Sequence, residues 1–184
     1  MISAMKRVAI LGSTGSIGTQ ALEVIRASGG TLRAVALCAK SRAELLLEQA
    51  AEFLPELVCV EDGEAARFLA GRLPSGTELY CGADAGSVAA SFGGADSLVH
   101  GIGGFAGTAP LIAGLGAGKR VCLANKESVV CAMPLVERAM LEGGGELLPV
   151  DSEQSALFQC LAAGRREDVK RLILTASGGP FRTY

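Results

Sequence analysis

The chain has 184 residues, 49% of them apolar and 20% charged, with 17 basic residues against 19 acidic ones for a formal charge of -2. This is the composition of a core-forming domain with something left over, and it excludes disorder. A near-neutral balance without a basic run, and an aromatic content of 4%, give no footprint for a nucleic-acid partner.

Short β-rich apolar runs recur along the chain: RVAIL (7 to 11), RAVALC (33 to 38), LVCV (57 to 60), TELYC (77 to 81), SLVHGI (97 to 102), RVCLA (120 to 124) and ELLPV (146 to 150). Between them SIGTQALEVIRAS, SRAELLLEQAAEF, DGEAARFLAGRL and ESVVCAMPLVERAMLEGG carry apolar residues at helical spacing. Val88–Phe92 and Thr108–Leu115 read as shorter helices. The alternation predicts an α/β fold on a mostly parallel sheet, and the first loop makes it Rossmann-like. Composition changes near residue 150. Beyond it a helix (Ser152–Ala163) and a strand (Arg171–Ala176) lead into SGGPFRTY. A lone strand cannot complete a sheet, so residues 1–150 are expected to form a nucleotide-binding domain and 151–184 the truncated start of an α+β catalytic domain.

The N-terminal run MISAMKRVAILG is short and interrupted by Gly12, unlike a signal peptide, and no stretch reaches membrane-spanning length. A cytoplasmic protein with no membrane partner is expected. Cys38, Cys59, Cys81, Cys122, Cys131 and Cys160 form no C-x-x-C pair and mostly occupy apolar runs, which reads as reduced structural thiols. His100 is the single histidine. A Cys/His zinc site is therefore disfavoured, and a metal here would need oxygen ligands.

GSTGSIG, Gly12 to Gly18, follows the first strand and opens the first helix, where glycines permit close approach and free amides favour a pyrophosphate. An ordinary strand-to-helix turn is the competing reading. At the end of the second strand an NAD site usually offers an acid, whereas this chain offers Lys40, Ser41 and Arg42. Two cations and a hydroxyl suit a 2′-phosphate, so NADPH is the expected cofactor.

LANKES brings Asn125, Lys126 and Glu127 to the end of another strand, where α/β sheets bind ligands. Asn125 and Glu127 could meet a nicotinamide riboside and Lys126 an anionic substrate; equally, Asn125 could cap a helix. In PVDSE an extended backbone would send Asp151 and Glu153 to one side, towards magnesium or manganese. The competing reading makes Asp151 an N-cap, with Gln154 completing a capping box. Ser152 and Ser177 are candidate substrate hydroxyls, or simply cap and turn residues.

GSTGSIG, LANKES, PVDSE and LTASGGPFR, in that order, resemble the 1-deoxy-D-xylulose 5-phosphate reductoisomerases of non-mevalonate isoprenoid biosynthesis. The resemblance spans about Arg7 to Arg182. It implies an oxidoreductase and isomerase that converts the phosphorylated sugar to 2-C-methyl-D-erythritol 4-phosphate with NADPH and Mg2+ or Mn2+. It assigns Thr14, Gly15, Ser16 and Ile17 to the NADPH phosphates and Lys40, Ser41 and Arg42 to the adenosine phosphate. Asn125 and Glu127 become cofactor contacts, and Asp151 and Glu153 metal ligands. Lys126, Ser152, Glu153 and Ser177 become substrate contacts, with Lys126, Asp151 and Glu153 carrying the chemistry. Family members often have a glycine-led triplet where this chain has Lys40-Ser41-Arg42, and His where it has Gln154. They also continue past LTASGGPFR with a lid, a substrate-phosphate loop, a third acidic ligand and a helical domain. The 184 residues are therefore expected to bind NADPH without turnover, and a full-length enzyme to be a homodimer. Two rivals remain: another Rossmann-type NADPH-dependent dehydrogenase, or a non-catalytic NADPH-binding module.

Overall fold

The computed structural model describes residues 5–175. Seven strands, β1 (Lys6–Leu11), β2 (Leu32–Ala39), β3 (Leu57–Val60), β4 (Glu78–Cys81), β5 (Ser97–His100), β6 (Arg120–Leu123) and β7 (Glu146–Pro149), pair in the order β4-β3-β2-β1-β5-β6-β7. All six pairings are parallel. A parallel sheet needs apolar side chains on both faces, and the central strands supply them. In β1, Ala9 and Leu11 enter one core while Val8 and Ile10 enter the other.

Over the Val8 face lie α1 (Ser16–Ala27), α2 (Ala43–Phe53) and α3 (Gly63–Leu69), which contribute Leu22, Ile25, Leu46, Ala50 and Leu69. On the Ala9 face lie α4 (Ala85–Ser91), α5 (Thr108–Gly116) and α6 (Lys126–Gly143), with Ala89, Leu111, Leu115 and Val136. The α6 helix kinks at Ala132 (φ -138°), two residues before Pro134. Proline has no amide for the i-4 carbonyl and its ring crowds the preceding turn.

β1 lies between β2 and β5, the point where the strand order reverses. Chain connections diverge there and leave a crevice at the carboxyl ends of the strands. The last α-helix among the described residues, α7 (Ser152–Ala162), buries none of its residues.

Two expectations need correction. Arg171–Thr175 forms no strand: the five residues are exposed, with Leu172, Ile173 and Leu174 turned to solvent. A strand requires ladder partners for its amides and carbonyls, and none of the seven strands pairs with this segment; Ala176 lies outside the described residues. Secondly, only Cys38 and Cys59 are fully buried, side by side in the β2–β3 register. Cys122 is half-buried, whereas Cys81 on the edge strand, Cys131 on α6 and Cys160 on α7 are exposed. All six are free thiols.

Candidate active site

The glycine loop is built by backbone contacts. The amides of Gly12 and Ser13 both donate to the Cys38 carbonyl, at 2.8 and 2.9 Å, tying the loop to the end of β2. Gly12 has φ +73°, and a Cβ on it would stand 3.2 Å from the Gly101 carbonyl. Gly18 is more constrained still: a Cβ there would meet the Gly12 carbonyl oxygen and lie 2.5 Å from Ser13 Cα. Glycine at these two positions lets α1 start directly against the strand end.

The amide of Gly15 donates back to the Gly12 carbonyl at 2.9 Å. Those of Thr14, Ser16 and Ile17 have no acceptor among the described residues. Free amides at and just before a helix start are donors available to an anion. Of the four loop residues expected to hold phosphate, Gly15 has its amide already engaged within the loop.

The switch-point crevice encloses a cavity of about 390 Å³. Thr14 and Gly15 line it from the loop, and Lys40, Ser41 and Arg42 from the end of β2. Those two groups, far apart in sequence, meet in one space, and the Arg42 guanidinium donates to the Thr14 carbonyl at 3.0 Å. Glu61, after β3, and Gly101–Gly103, after β5, also line it and were missed by sequence reasoning. Their signal was positional, since each follows a predicted strand. Cys38 lines it too, but burial pushes its thiol up, so it stays protonated.

Asn125 is 4% exposed and fully occupied. Its Oδ1 accepts from the Glu127 amide at 3.0 Å, capping α6. Its Nδ2 donates to the carbonyls of Ile102 and Gly104, at 2.8 and 2.9 Å, and to Ser128 Oγ. Asn125 thus fixes the glycine loop that walls the cavity. His100 assists from β5: the neutral ring, protonated on Nε2, donates to the Gly107 carbonyl at 2.8 Å. Burial depresses its pKa below the ordinary 6.5. Glu127 is exposed at the start of α6.

Lys126 and Asp151 meet across the ends of β6 and β7, with Nζ donating to Oδ2 at 2.7 Å. That hydrogen bond, aided by the charge of Asp151, raises the Lys126 pKa. The pair lines a separate cavity of about 360 Å³ shared with Gln154. Asp151 occupies the N-cap position of α7 but its side chain accepts no helix amide. The extended backbone ends there, so Glu153 stands in the first helical turn, accepting from Ser152 Oγ at 2.8 Å. Ser177 lies outside the described residues.

As a metal centre the arrangement fits in kind and falls short in number. Carboxylate oxygens are the ligands magnesium and manganese prefer. No group of three or more His, Cys, Asp or Glu suited to a metal occurs among the described residues. No helix among them is long and apolar enough to cross a membrane.

Comparison with known proteins gives this geometry a context. The sequence model of the 1-deoxy-D-xylulose 5-phosphate reductoisomerase family matches residues 8–133, and that of its C-terminal domain matches residues 147–184. A 1-deoxy-D-xylulose 5-phosphate reductoisomerase of Chlorobium chlorochromatii is 46% identical over 179 residues, covering 97% of this chain and 47% of the relative. One from Anaeromyxobacter sp. strain K is 50% identical, with 97% and 46% covered. The chain thus spans about half the length of the curated relatives it matches. Among solved structures, the Zymomonas mobilis reductoisomerase in complex with NADPH superposes with a TM-score of 0.86 at 40% identity, covering 98% of this chain and 48% of that one. A DOX-P reductoisomerase in complex with NADPH, fosmidomycin and magnesium gives 0.79 at 38% identity, with 85% and 39% covered.

Proposed function

This chain belongs to the 1-deoxy-D-xylulose 5-phosphate reductoisomerase family, and we propose that it supplies the NADPH-binding part of an enzyme that isomerises and reduces 1-deoxy-D-xylulose 5-phosphate to 2-C-methyl-D-erythritol 4-phosphate. The observation that carries this reading is the shared crevice, where the glycine loop, with the free amide of Thr14, stands beside two cations and a hydroxyl. The amides of Thr14, Ser16 and Ile17 take the pyrophosphate, and Gly15 lets it approach. Lys40, Ser41 and Arg42 take the 2′-phosphate. Towards the nicotinamide, Glu127 is exposed for contact, whereas Asn125 acts through the glycine loop it holds.

Lys126, Ser152, Glu153 and Ser177 are assigned to the phosphorylated substrate, with Asp151 and Glu153 holding magnesium or manganese. Bound NADPH supplies hydride, and a divalent cation supplies Lewis acidity for polarising substrate oxygens. The contribution of Lys126 is a fixed positive charge: its pKa is raised, so it serves as a cationic anchor rather than a base. Two carboxylates hold such a cation weakly, so residues 1–184 bind nucleotide but do not turn over.

The division into a nucleotide domain, 1–150, and the start of a catalytic domain, 151–184, is supported by α7, which buries nothing. A cytoplasmic homodimer is proposed for the full-length enzyme. The test uses the 184-residue chain: fluorescence titration with NADPH and NADH, then NADPH oxidation with deoxyxylulose phosphate and manganese. Tighter binding of NADPH without oxidation is expected. Failure to bind either nucleotide, or equal affinity for both, overturns the cofactor assignment; steady substrate-dependent oxidation overturns the claim of incompleteness.

A further inference from the structure

We propose that Gln49 is a positioning residue for the dinucleotide, holding the glycine loop from α2 so that the Thr14 amide is presented to the pyrophosphate. The inference rests on the reading of the crevice as a dinucleotide site. Gln49 is 5% exposed and sits on the inner face of α2, between Leu46 and Ala50, which are both fully buried. Its Nε2 donates to the Ser13 carbonyl at 2.9 Å. Arg42, at the N-cap of the same helix, donates to the next carbonyl, Thr14, at 3.0 Å. The helix therefore grips two consecutive loop carbonyls.

In a trans peptide the carbonyl and the following amide point in opposite directions. Drawing the Ser13 carbonyl towards α2 turns the Thr14 amide away from it. That amide has no protein acceptor among the described residues, and Thr14 lines the crevice. Arg42 does the same for the next peptide, whose Gly15 amide then closes on the Gly12 carbonyl.

Core packing does not explain a glutamine here. Its Oε1 is buried without a hydrogen-bond partner, as is the Oγ of Ser13, the residue it contacts. A half-satisfied amide in an apolar core costs stability that a hydrophobic side chain of similar size would avoid. Only the loop contact uses its polarity.

The test separates loop orientation from general damage by using two ligands. NADPH uses the pyrophosphate cradle; adenosine 2′-monophosphate has no pyrophosphate and reaches only Lys40, Ser41 and Arg42. In Gln49→Met, which keeps length and removes the donor, NADPH affinity is expected to fall about tenfold, the scale of one hydrogen bond, with adenosine 2′-monophosphate changed by less than about twofold. Both constants are read on the 184-residue chain by calorimetric titration or ligand-observed NMR. An equal loss for both ligands, or no loss for either, overturns the role of Gln49 while leaving the nucleotide site standing. If the wild-type chain binds neither ligand, the dinucleotide reading itself fails, and Gln49 with it. Should the methionine variant not fold by circular dichroism, Gln49→Leu removes the same donor with a smaller apolar side chain, and it must show the same selective loss.

Discussion

Arg42→Ala removes two contacts that the choice of ligand can separate. One is the hydrogen bond to the Thr14 carbonyl at 3.0 Å, made within the protein and therefore lost for NADH and NADPH alike. The other is the proposed contact of the guanidinium, which lines the crevice with Lys40, to a 2′-phosphate that only NADPH carries. Arg42 is exposed, so the low end of each range applies: about 0.5 kcal/mol for the loop bond and about 1.5 kcal/mol for the charge-assisted contact. NADH affinity should fall about twofold and NADPH affinity roughly 30-fold, the latter reflecting the sum of about 2 kcal/mol. Fluorescence titration of both nucleotides against wild type and variant measures this directly. Repeating it in high salt should shrink the NADPH loss but not the NADH loss, because only the former is screened. Loss by the same factor for both nucleotides would mean that Arg42 reads no phosphate. An unchanged NADH affinity would mean that the Thr14 carbonyl keeps its orientation without it.

Two further outcomes are expected. Because burial depresses the His100 pKa below 6.5, the unfolded chain binds the extra proton first; this contribution to stability is full above about pH 6.5 and declines as pH falls below it, by at most about 1.4 kcal/mol per pH unit. Urea midpoints between neutral and mildly acidic pH should show that slope, and His100→Gln, which can still donate to Gly107 but cannot charge, should lessen it. For the metal, Asp151→Asn and Glu153→Gln should each weaken manganese relaxation enhancement in the chain while changing stability by less than about 1 kcal/mol, since the Asp151 contact is an exposed ion pair rather than a helix cap; undiminished manganese binding in both variants returns these residues to a structural role.

Much of the fold was legible because its signals are local. RVAIL, RAVALC and LVCV are continuous apolar runs that only a strand buried on both faces requires, and each became one. The glycine loop was legible because the backbone itself dictates Gly12 and Gly18. Strand order was not, and with it went Glu61 and Gly101–Gly103, which join the crevice only because β3 and β5 flank the β2–β1 pair. The kink at Ala132 had a visible cause in Pro134, but helical periodicity masked it. Arg171–Thr175 failed for the opposite reason. RLILT has strand composition, yet composition cannot supply a neighbouring strand, and these residues remain exposed.

Whether Asp151 is a helix cap or a site residue turns on where its carboxylate goes. A capping aspartate accepts from the second or third helix amide, as Asp62 does at α3 with the amides of Glu64 and Ala65, at 2.9 and 2.8 Å. Asp151 occupies the same position at α7 and makes neither bond. Its oxygen is turned instead to Lys126, on a different helix and beyond a different strand, so it contributes nothing of the roughly 1 kcal/mol that a cap supplies. One sequence signal, an acid before a helical run, therefore serves two purposes in this chain. At Asp62 the neighbouring amides satisfy it; at Asp151 the carboxylate is held out at the strand ends beside a cation, where it can be shared with a ligand without unravelling the helix behind it.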